Sequence, residues 1–305
     1  MKSGCFYILA CLMVLTSTAF AGLYEDGQAA MEKKAFRKAI TLFESDARKG
    51  NPKSQYKLGL IHEDGQGVKK NLSKAVYWYE MAAKQGHPEA QQSLGMMYQC
   101  GRGLKQDLAQ AKYWFEMASK NGTPAAQFEL GMFYQKGQTV PCDYKQALYY
   151  YELAAKQGYA KAQTAIGLFY AEGLSMPKDY RQAALWFDLA AKQGDPSGQF
   201  NLGVLNEKGF GFPQNYKEAA RWYKMAAKQE YADAQNNLGF LYYNGKGVDK
   251  DLIISYALFS LAYDNGNSDA FQNCYIAASG LPPKNHQRAK ALAGDRKKLY
   301  SLIGN

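Results

Sequence analysis

The tripeptide Lys-Gln-Gly recurs at residues 84–86, 156–158 and 192–194, and variants keep the same register at Lys120-Asn121-Gly122, Lys228-Gln229-Glu230 and Asp264-Asn265-Gly266. The period is 36 residues without an insertion, so six complete copies occupy 51–86, 87–122, 123–158, 159–194, 195–230 and 231–266. A repeat of this length is one supersecondary unit that cannot bury its apolar face alone, so neighbours must stack into an array. No other feature of the 305 residues restricts the fold as strongly.

Numbering each copy from 1 shows which positions are held constant. Position 5 is always Gln (Gln55, Gln91, Gln127, Gln163, Gln199, Gln235), and position 9 is always Gly (Gly59, Gly95, Gly131, Gly167, Gly203, Gly239). Position 15 is also always Gly (Gly65, Gly101, Gly137, Gly173, Gly209, Gly245). Trp78, Trp114, Tyr150, Trp186, Trp222 and Leu258 share position 28; Tyr or Phe follows each, and Ala comes three residues after that aromatic. Ala111, Trp114, Phe115 and Ala118 follow the i, i+3, i+4, i+7 rule, and Leu94 and Tyr98 are four apart, so both halves of the unit read as amphipathic helix. Gly101 is placed to end the first helix in a left-handed conformation, and Asp107 to cap the second.

The unit is therefore helix, Gly-rich loop, helix. The position-9 glycine is expected to let its two helices approach closely. The tryptophans are expected in the core, with base or sugar stacking as the alternative. The glutamine column is expected to form a structural hydrogen-bond ladder. Array ends are atypical: 22–50 is a shortened hairpin, and 267–305 reads as a final helix, a Gly280-Leu281-Pro282-Pro283 break and a capping helix.

The run Gly131-Met132-Phe133-Tyr134-x-x-Gly137, then Asp143-Tyr144-x-x-Ala147, then Tyr150-Tyr151-x-x-Ala154-Ala155-Lys156-Gln157-Gly158 resembles the Sel-one-like repeat, a relative of the tetratricopeptide repeat. Six in-register copies carry that resemblance, and 22–50 is closer to a plain tetratricopeptide hairpin. The resemblance implies an all-α, right-handed α-solenoid of 36-residue helix-loop-helix units used for protein–protein contact. For exported bacterial members it also implies envelope, host-interaction or virulence-associated roles.

The first 21 residues have a charged start at Lys2, an apolar run from Cys5 to Leu15 and an Ala19-Phe20-Ala21 ending, the three parts of a secretory signal peptide. Cleavage after Ala21 would leave 284 residues, in the periplasm or secreted beyond it. An uncleaved anchor helix and lipidation at Cys11 are the competing readings. No later stretch approaches the roughly 20 apolar residues of a membrane span. Cys100, Cys142 and Cys274 remain after cleavage, an odd set that permits one internal bridge. Cys100 and Cys142, one repeat apart, are the candidate pair; the alternative is three unrelated small apolar residues.

Lys plus Arg exceed Asp plus Glu by 37 to 27, which favours acidic partners but falls short of a nucleic-acid signature. Export also keeps the chain from nucleic acid. His62, His87 and His286 are dispersed and no Cys or His pair has zinc spacing, so neither metal nor cofactor is expected. Gly239 to Lys246 only superficially resembles a phosphate loop. Ser54-x-x-Lys57 and Ser175-x-x-Lys178 match the nucleophile motif of penicillin-recognising enzymes, and cysteine-rich relatives in the repeat family have been linked to β-lactam binding. The supporting Ser-Asp-Asn and the regular cysteine pairs are missing, so the chain is expected not to be an enzyme. A cell-wall enzyme or inhibitor remains the first alternative, and a membrane- or host-directed effector the second.

Positions that vary between copies are where an array acquires recognition. First-helix positions 3, 6, 10 and 13 form one stripe, which lines the concave groove in the related tetratricopeptide arrays. Position 6 carries Tyr56, Gln92, Phe128, Thr164, Phe200 and Asn236; position 13 carries Glu63, Gln99, Gln135, Ala171, Glu207 and Tyr243. Aromatics mixed with amides suit an extended peptide or flexible loop of a protein partner; the competing reading packs these aromatics inside the solenoid. Lys284, Arg288, Lys290, Arg296, Lys297 and Lys298 form a basic tail that could meet an anionic surface or simply coat a solvated helix face.

Overall fold

The computed structural model describes residues 22–304. The leader-like segment, with the signal-peptide reading it supports, lies outside the described residues. Seventeen helices and no strand are found among the described residues. They form two compact units, divided after Asp143, between the two helices of the third copy.

The first unit holds α1 (22–32), α2 (Phe36–Arg48), α3 (Pro52–Asp64), α4 (Leu72–Ala83), α5 (Pro88–Cys100), α6 (Leu108–Lys120) and α7 (Pro124–Lys136). The second begins with α8 (Tyr144–Lys156), α9 (Ala160–Glu172), α10 (Tyr180–Lys192), α11 (Pro196–Lys208) and α12 (Tyr216–Lys228). It ends with α13 (Ala232–Asn244), α14 (Leu252–Asp264), α15 (Ala270–Ser279), α16 (Pro283–Ala293) and α17 (Arg296–Leu302). Within each unit, sequential helices pack as antiparallel hairpins stacked on their neighbours, the arrangement of an all-α solenoid.

Local chemistry explains the helix limits. Pro52, Pro88, Pro124 and Pro196 occupy the first turn, where a missing N–H costs nothing. The position-15 glycines end every first helix with φ between 66° and 77°, a conformation in which a Cβ would be strained. Asp107 caps α6 by accepting from the N–H groups of Ala109 and Gln110 at 2.9 and 3.0 Å.

The position-9 glycine does what the sequence indicates. A Cβ at Gly95 would lie 2.6 Å from the Phe115 ring, and at Gly203 2.6 Å from that of Tyr223. The aromatic behind each notch, at position 29, is the true centre of the hairpin: Tyr79, Phe115, Phe187, Tyr223 and Phe259 are all fully buried. The tryptophans one residue earlier are placed differently from the expectation. Trp114 and Trp222 are buried, Trp78 and Trp186 only partly so. Trp78, Trp114 and Trp222 each pack on the core of the preceding copy, so they tie copies together.

The glutamine ladder is present. Gln91 donates through Nε2 to the Ala83 carbonyl of the preceding copy at 3.1 Å, and its Oε1 accepts from Asn121 of its own copy at 3.0 Å. In the second unit Gln199 bonds the Ala191 carbonyl and Gln229 at 3.2 and 2.9 Å. Gln55, Gln91, Gln199 and Gln235 thus each add a second bond to a helix-end carbonyl of the preceding hairpin.

At the N-terminal end α1 and α2 form the shortened hairpin, with Gly27 notched against Phe43. At the C-terminal end the single capping helix expected from sequence is two. Asp295 caps a new helix through the Lys298 N–H at 2.9 Å after α16 stops at Gly294. The cap packs on α14, burying Leu281, Ala289, Leu292, Leu299 and Ile303.

Candidate functional site

Constant positions are largely consumed by packing, and the recognition positions expected from sequence lie on the first helices, while the second helices also expose apolar side chains such as Tyr77, Tyr149 and Leu185. Position 10 supplies an apolar stripe: Leu60, Met96 and Met132 in the first unit, Leu168, Val204 and Phe240 in the second. Met96 and Phe240 are 37% and 38% exposed, whereas Leu60, Met132, Leu168 and Val204 are half-buried. Position 10 is one of the four first-helix positions that the sequence places on the recognition stripe.

Position 6 stands beside it and is partly drawn into the packing. Tyr56 stacks on His87 with ring centres 4.9 Å apart and leans on Tyr79 at 5.8 Å. Phe200 contacts Tyr223 and Tyr231 at 5.8 and 5.2 Å. Phe128 and Gln92 are half-buried. Asn236 is a correction: it is buried, and its Oδ1 accepts from Asn273 at 2.8 Å, because α15 packs over the last copy.

Position 13 carries the polar chemistry. Glu63 accepts from the Tyr79 hydroxyl at 2.5 Å and pairs with Arg102 at 3.0 Å. Glu207 accepts from Tyr223 at 2.7 Å and lies 3.5 Å from Lys208. Gln99 donates to Glu129 at 3.2 Å, Gln135 is half-buried, and Lys250 lies over the Tyr243 ring at 5.7 Å. The core aromatic responds to this position: Glu63 and Glu207 go with Tyr79 and Tyr223, whereas Ala171 and Tyr243 go with Phe187 and Phe259. In the first and fifth copies a core hydroxyl thus serves the carboxylate, while in the sequence of the third copy Tyr151 goes with Gln135. Burial and then the neighbouring carboxylate hold Tyr79 and Tyr223 well above the usual tyrosine range, so both stay protonated donors.

Around Glu207 the side chains form a cleft of about 370 Å³, lined by Val204, Glu207, Lys208, Tyr223, Asn237, Phe240 and Asn244. It lies wholly within the second unit.

The other candidates distribute differently. Ser54, the first serine of the Ser-x-x-Lys matches, is fully buried and donates to Asp46 at 2.5 Å, so its hydroxyl serves the scaffold. Cys100, Cys142 and Cys274 are free thiols; the Cys100–Cys142 bridge is not formed, and the Cys142 thiol turns back to the Gln135 carbonyl at 3.3 Å. Lys284, Arg288, Lys290, Arg296, Lys297 and Lys298 all lie on the solvent side of α16 and α17, and Arg296 is paired with Glu230. Among the described residues no cluster of three His, Cys, Asp or Glu side chains could hold a metal ion, and no helix is long and apolar enough to cross a membrane.

Comparison with known proteins fits this arrangement. The family model for the Sel1 repeat matches residues 52–87, 88–123, 124–159, 160–195, 196–231 and 232–267, one residue later than the copies delimited above. A Sel1 repeat protein from Oxalobacter formigenes is similar at 30% identity, with 79% of this chain and 96% of that one covered and a TM-score of 0.74. A second similar structure is c5321, a protective antigen present in uropathogenic Escherichia coli strains and displaying an SLR fold. It is 26% identical, with 93% of this chain and 69% of that one covered and a TM-score of 0.58. A comparison with curated proteins gives no match.

Proposed function

The chain belongs to the Sel1 repeat family, whose repeats in general form non-catalytic scaffolds for protein–protein contact, and from that premise we propose that it is an exported bacterial scaffold. It captures an extended peptide or flexible loop of a partner protein along the exposed side of its first helices, in envelope function or host contact. The observation that carries this reading is the apolar stripe at position 10, exposed at Met96 and Phe240 and half-buried elsewhere, flanked by changing aromatics, amides and carboxylates on an otherwise constant scaffold. Export rests on the leader-like residues 1–21, and the description of c5321 as a protective antigen supports a host-facing role.

The test is partner capture from envelope and culture-medium fractions with the native protein and with a Met96→Asp, Phe240→Asp variant. Both side chains are more than a third exposed, and because the Phe240 ring also packs on Phe259 at 5.0 Å, circular dichroism checks that the fold persists. A partner held by the native protein and lost by the variant is expected; retention of every partner would overturn the reading.

A second reading is favoured by the capping helices, whose cations all face solvent while Ala289, Leu292, Leu299 and Ile303 are buried. They would hold the protein against an anionic surface. Co-sedimentation with phosphatidylglycerol vesicles should then fall steeply between low and high salt, and its absence at low salt would remove this reading.

A further inference from the structure

Resting on the reading that a peptide lies along the first helices, we infer that the cleft beside Glu207 is an arginine pocket. It receives the guanidinium of one arginine in the partner's extended segment.

The molecule already shows what fits such a niche. In the first copy Glu63 Oε2 accepts from the Tyr79 hydroxyl, and Oε1 is met by the Arg102 guanidinium at 3.0 Å. Arg102 is position 16 of the following copy, in the turn after α5. The fifth copy repeats the pair: Glu207 Oε2 accepts from the Tyr223 hydroxyl at 2.7 Å. Position 16 of its following copy, however, is Lys246, and this lysine turns elsewhere. Its ammonium lies 3.4 Å from the Tyr216 hydroxyl and 5.0 Å from the centre of that ring. The niche of the fifth copy therefore has the carboxylate and the tyrosine of the first without the internal guanidinium. Lys208 stands beside Oε1 at 3.5 Å, a single long contact from a side chain 55% exposed, and is readily displaced.

The rest of the cleft matches an arginine. Asn237 uses its Nδ2 on the Tyr223 hydroxyl at 3.2 Å, and Asn244 its Nδ2 on the Phe240 carbonyl at 2.9 Å. Both amides line the cleft with Glu207, and each has an oxygen able to accept. A guanidinium offers five donors and no acceptor in a planar fork, which is the complement of that set. Phe240 supplies an exposed ring on which the plane can stack, and Val204 covers the aliphatic stem. A lysine, as a point charge with three donors, would satisfy fewer of these acceptors and could not stack as a plane.

The experiment measures fluorescence anisotropy of a labelled, capped heptapeptide Gly-Leu-Ala-Arg-Ala-Leu-Gly and of its citrulline analogue, which keeps the shape and loses the charge. The native protein should prefer arginine by about tenfold or more, the range of a charged hydrogen bond. Glu207→Gln should abolish the preference, and Glu63→Gln should leave it intact. Lys246→Arg restores the residue of the first copy and should block the pocket from within, while Lys208→Met should tighten binding. Circular dichroism confirms folding, and Lys246→Arg and Lys208→Met, both exposed, guard against a trivial loss of structure. Equal binding of the two peptides, binding of neither, or a preference surviving in Glu207→Gln would overturn the arginine pocket. Should that happen while Met96→Asp, Phe240→Asp still loses a captured partner, the scaffold reading stands and only the pocket fails.

Discussion

Replacing Gly95 by Ala tests the packing logic on which every copy depends. In an open helix this change stabilises by about 1 kcal/mol, because alanine has the higher helix propensity. Here the added Cβ would lie 2.6 Å and 2.7 Å from two atoms of the Phe115 ring, where ordinary contact begins at 3.4 Å. Phe115 is fully buried and edge-packed on Phe133 with ring centres 6.1 Å apart, so it has nowhere to retreat. Overpacking of this kind costs about 1–3 kcal/mol, and an overlap this deep belongs at the upper end. The expected outcome is a net loss of about 2 kcal/mol, a large share of a typical stability of about 5–15 kcal/mol. Urea unfolding followed by far-ultraviolet circular dichroism reads it as a lower midpoint. Gly294→Ala is the control: its Cβ would find nothing nearer than 3.7 Å, and its φ of −77° suits any residue. Adding Phe115→Leu should relieve the clash, so the double variant should lose less than the two single losses combined, by about 1 kcal/mol or more. A Gly95→Ala protein as stable as the native one, or strict additivity in the double variant, would refute the argument.

Three further outcomes follow from the same geometry. Gln91→Leu removes the bonds to the Ala83 carbonyl and from the Asn121 amide, groups that keep the Gly86 N–H and the Met117 carbonyl as partners, so each lost bond costs about 0.5–1.5 kcal/mol; amide exchange should quicken at the junction of the first two copies, and unchanged protection would contradict the ladder. Tyr79 and Tyr223 ionise above the free tyrosine value of 10.0 because burial and a carboxylate oppose the phenolate. A raised folded value means that their stabilisation is complete below pH 10 and is lost as pH climbs beyond it, so the urea midpoint should fall in that range. Tyr79→Phe with Tyr223→Phe should flatten the fall, and an unaltered slope would count against it. Cys274 is pushed up to about 11 by burial and by Asp264, whereas Cys100 and Cys142 are exposed. Iodoacetamide at pH 8 should therefore modify Cys100 and Cys142 first by mass spectrometry, and equal rates at all three would refute the placement.

Much of the candidate site was legible in principle. Variation at positions 6 and 13 marks the face that differs between copies, and Glu63, Gln99 and Glu207 do carry polar chemistry there. Position 10 belongs to the same stripe that the sequence marks. Two things were not legible there. Asn236 occupies a recognition position in the register, but α15 covers it, and coverage depends on where a non-repeating segment docks. Whether a position-13 carboxylate meets a cation depends on which way the next copy's turn residue points: Arg102 reaches Glu63, while Lys246 goes to Tyr216.

The sequence by itself determined the period, the helical unit, the caps and glycine stops, and the identity of the glycine notch and the glutamine ladder. These interactions are local or recur at a fixed separation, so 36-residue periodicity writes them out six times. The tertiary structure alone decided what happens where the register breaks. Glu230 stands where other copies have Gly and keeps a left-handed φ of 62°, and its carboxylate is taken by Arg296, 66 residues later in the cap. The same cap sends Tyr300 back to the Ala227 carbonyl at 2.5 Å and lays α16 on α14. Contacts of that kind occur once, between residues far apart in the chain, and no periodicity records them; they are fixed only when the apolar end of the array must find a cover.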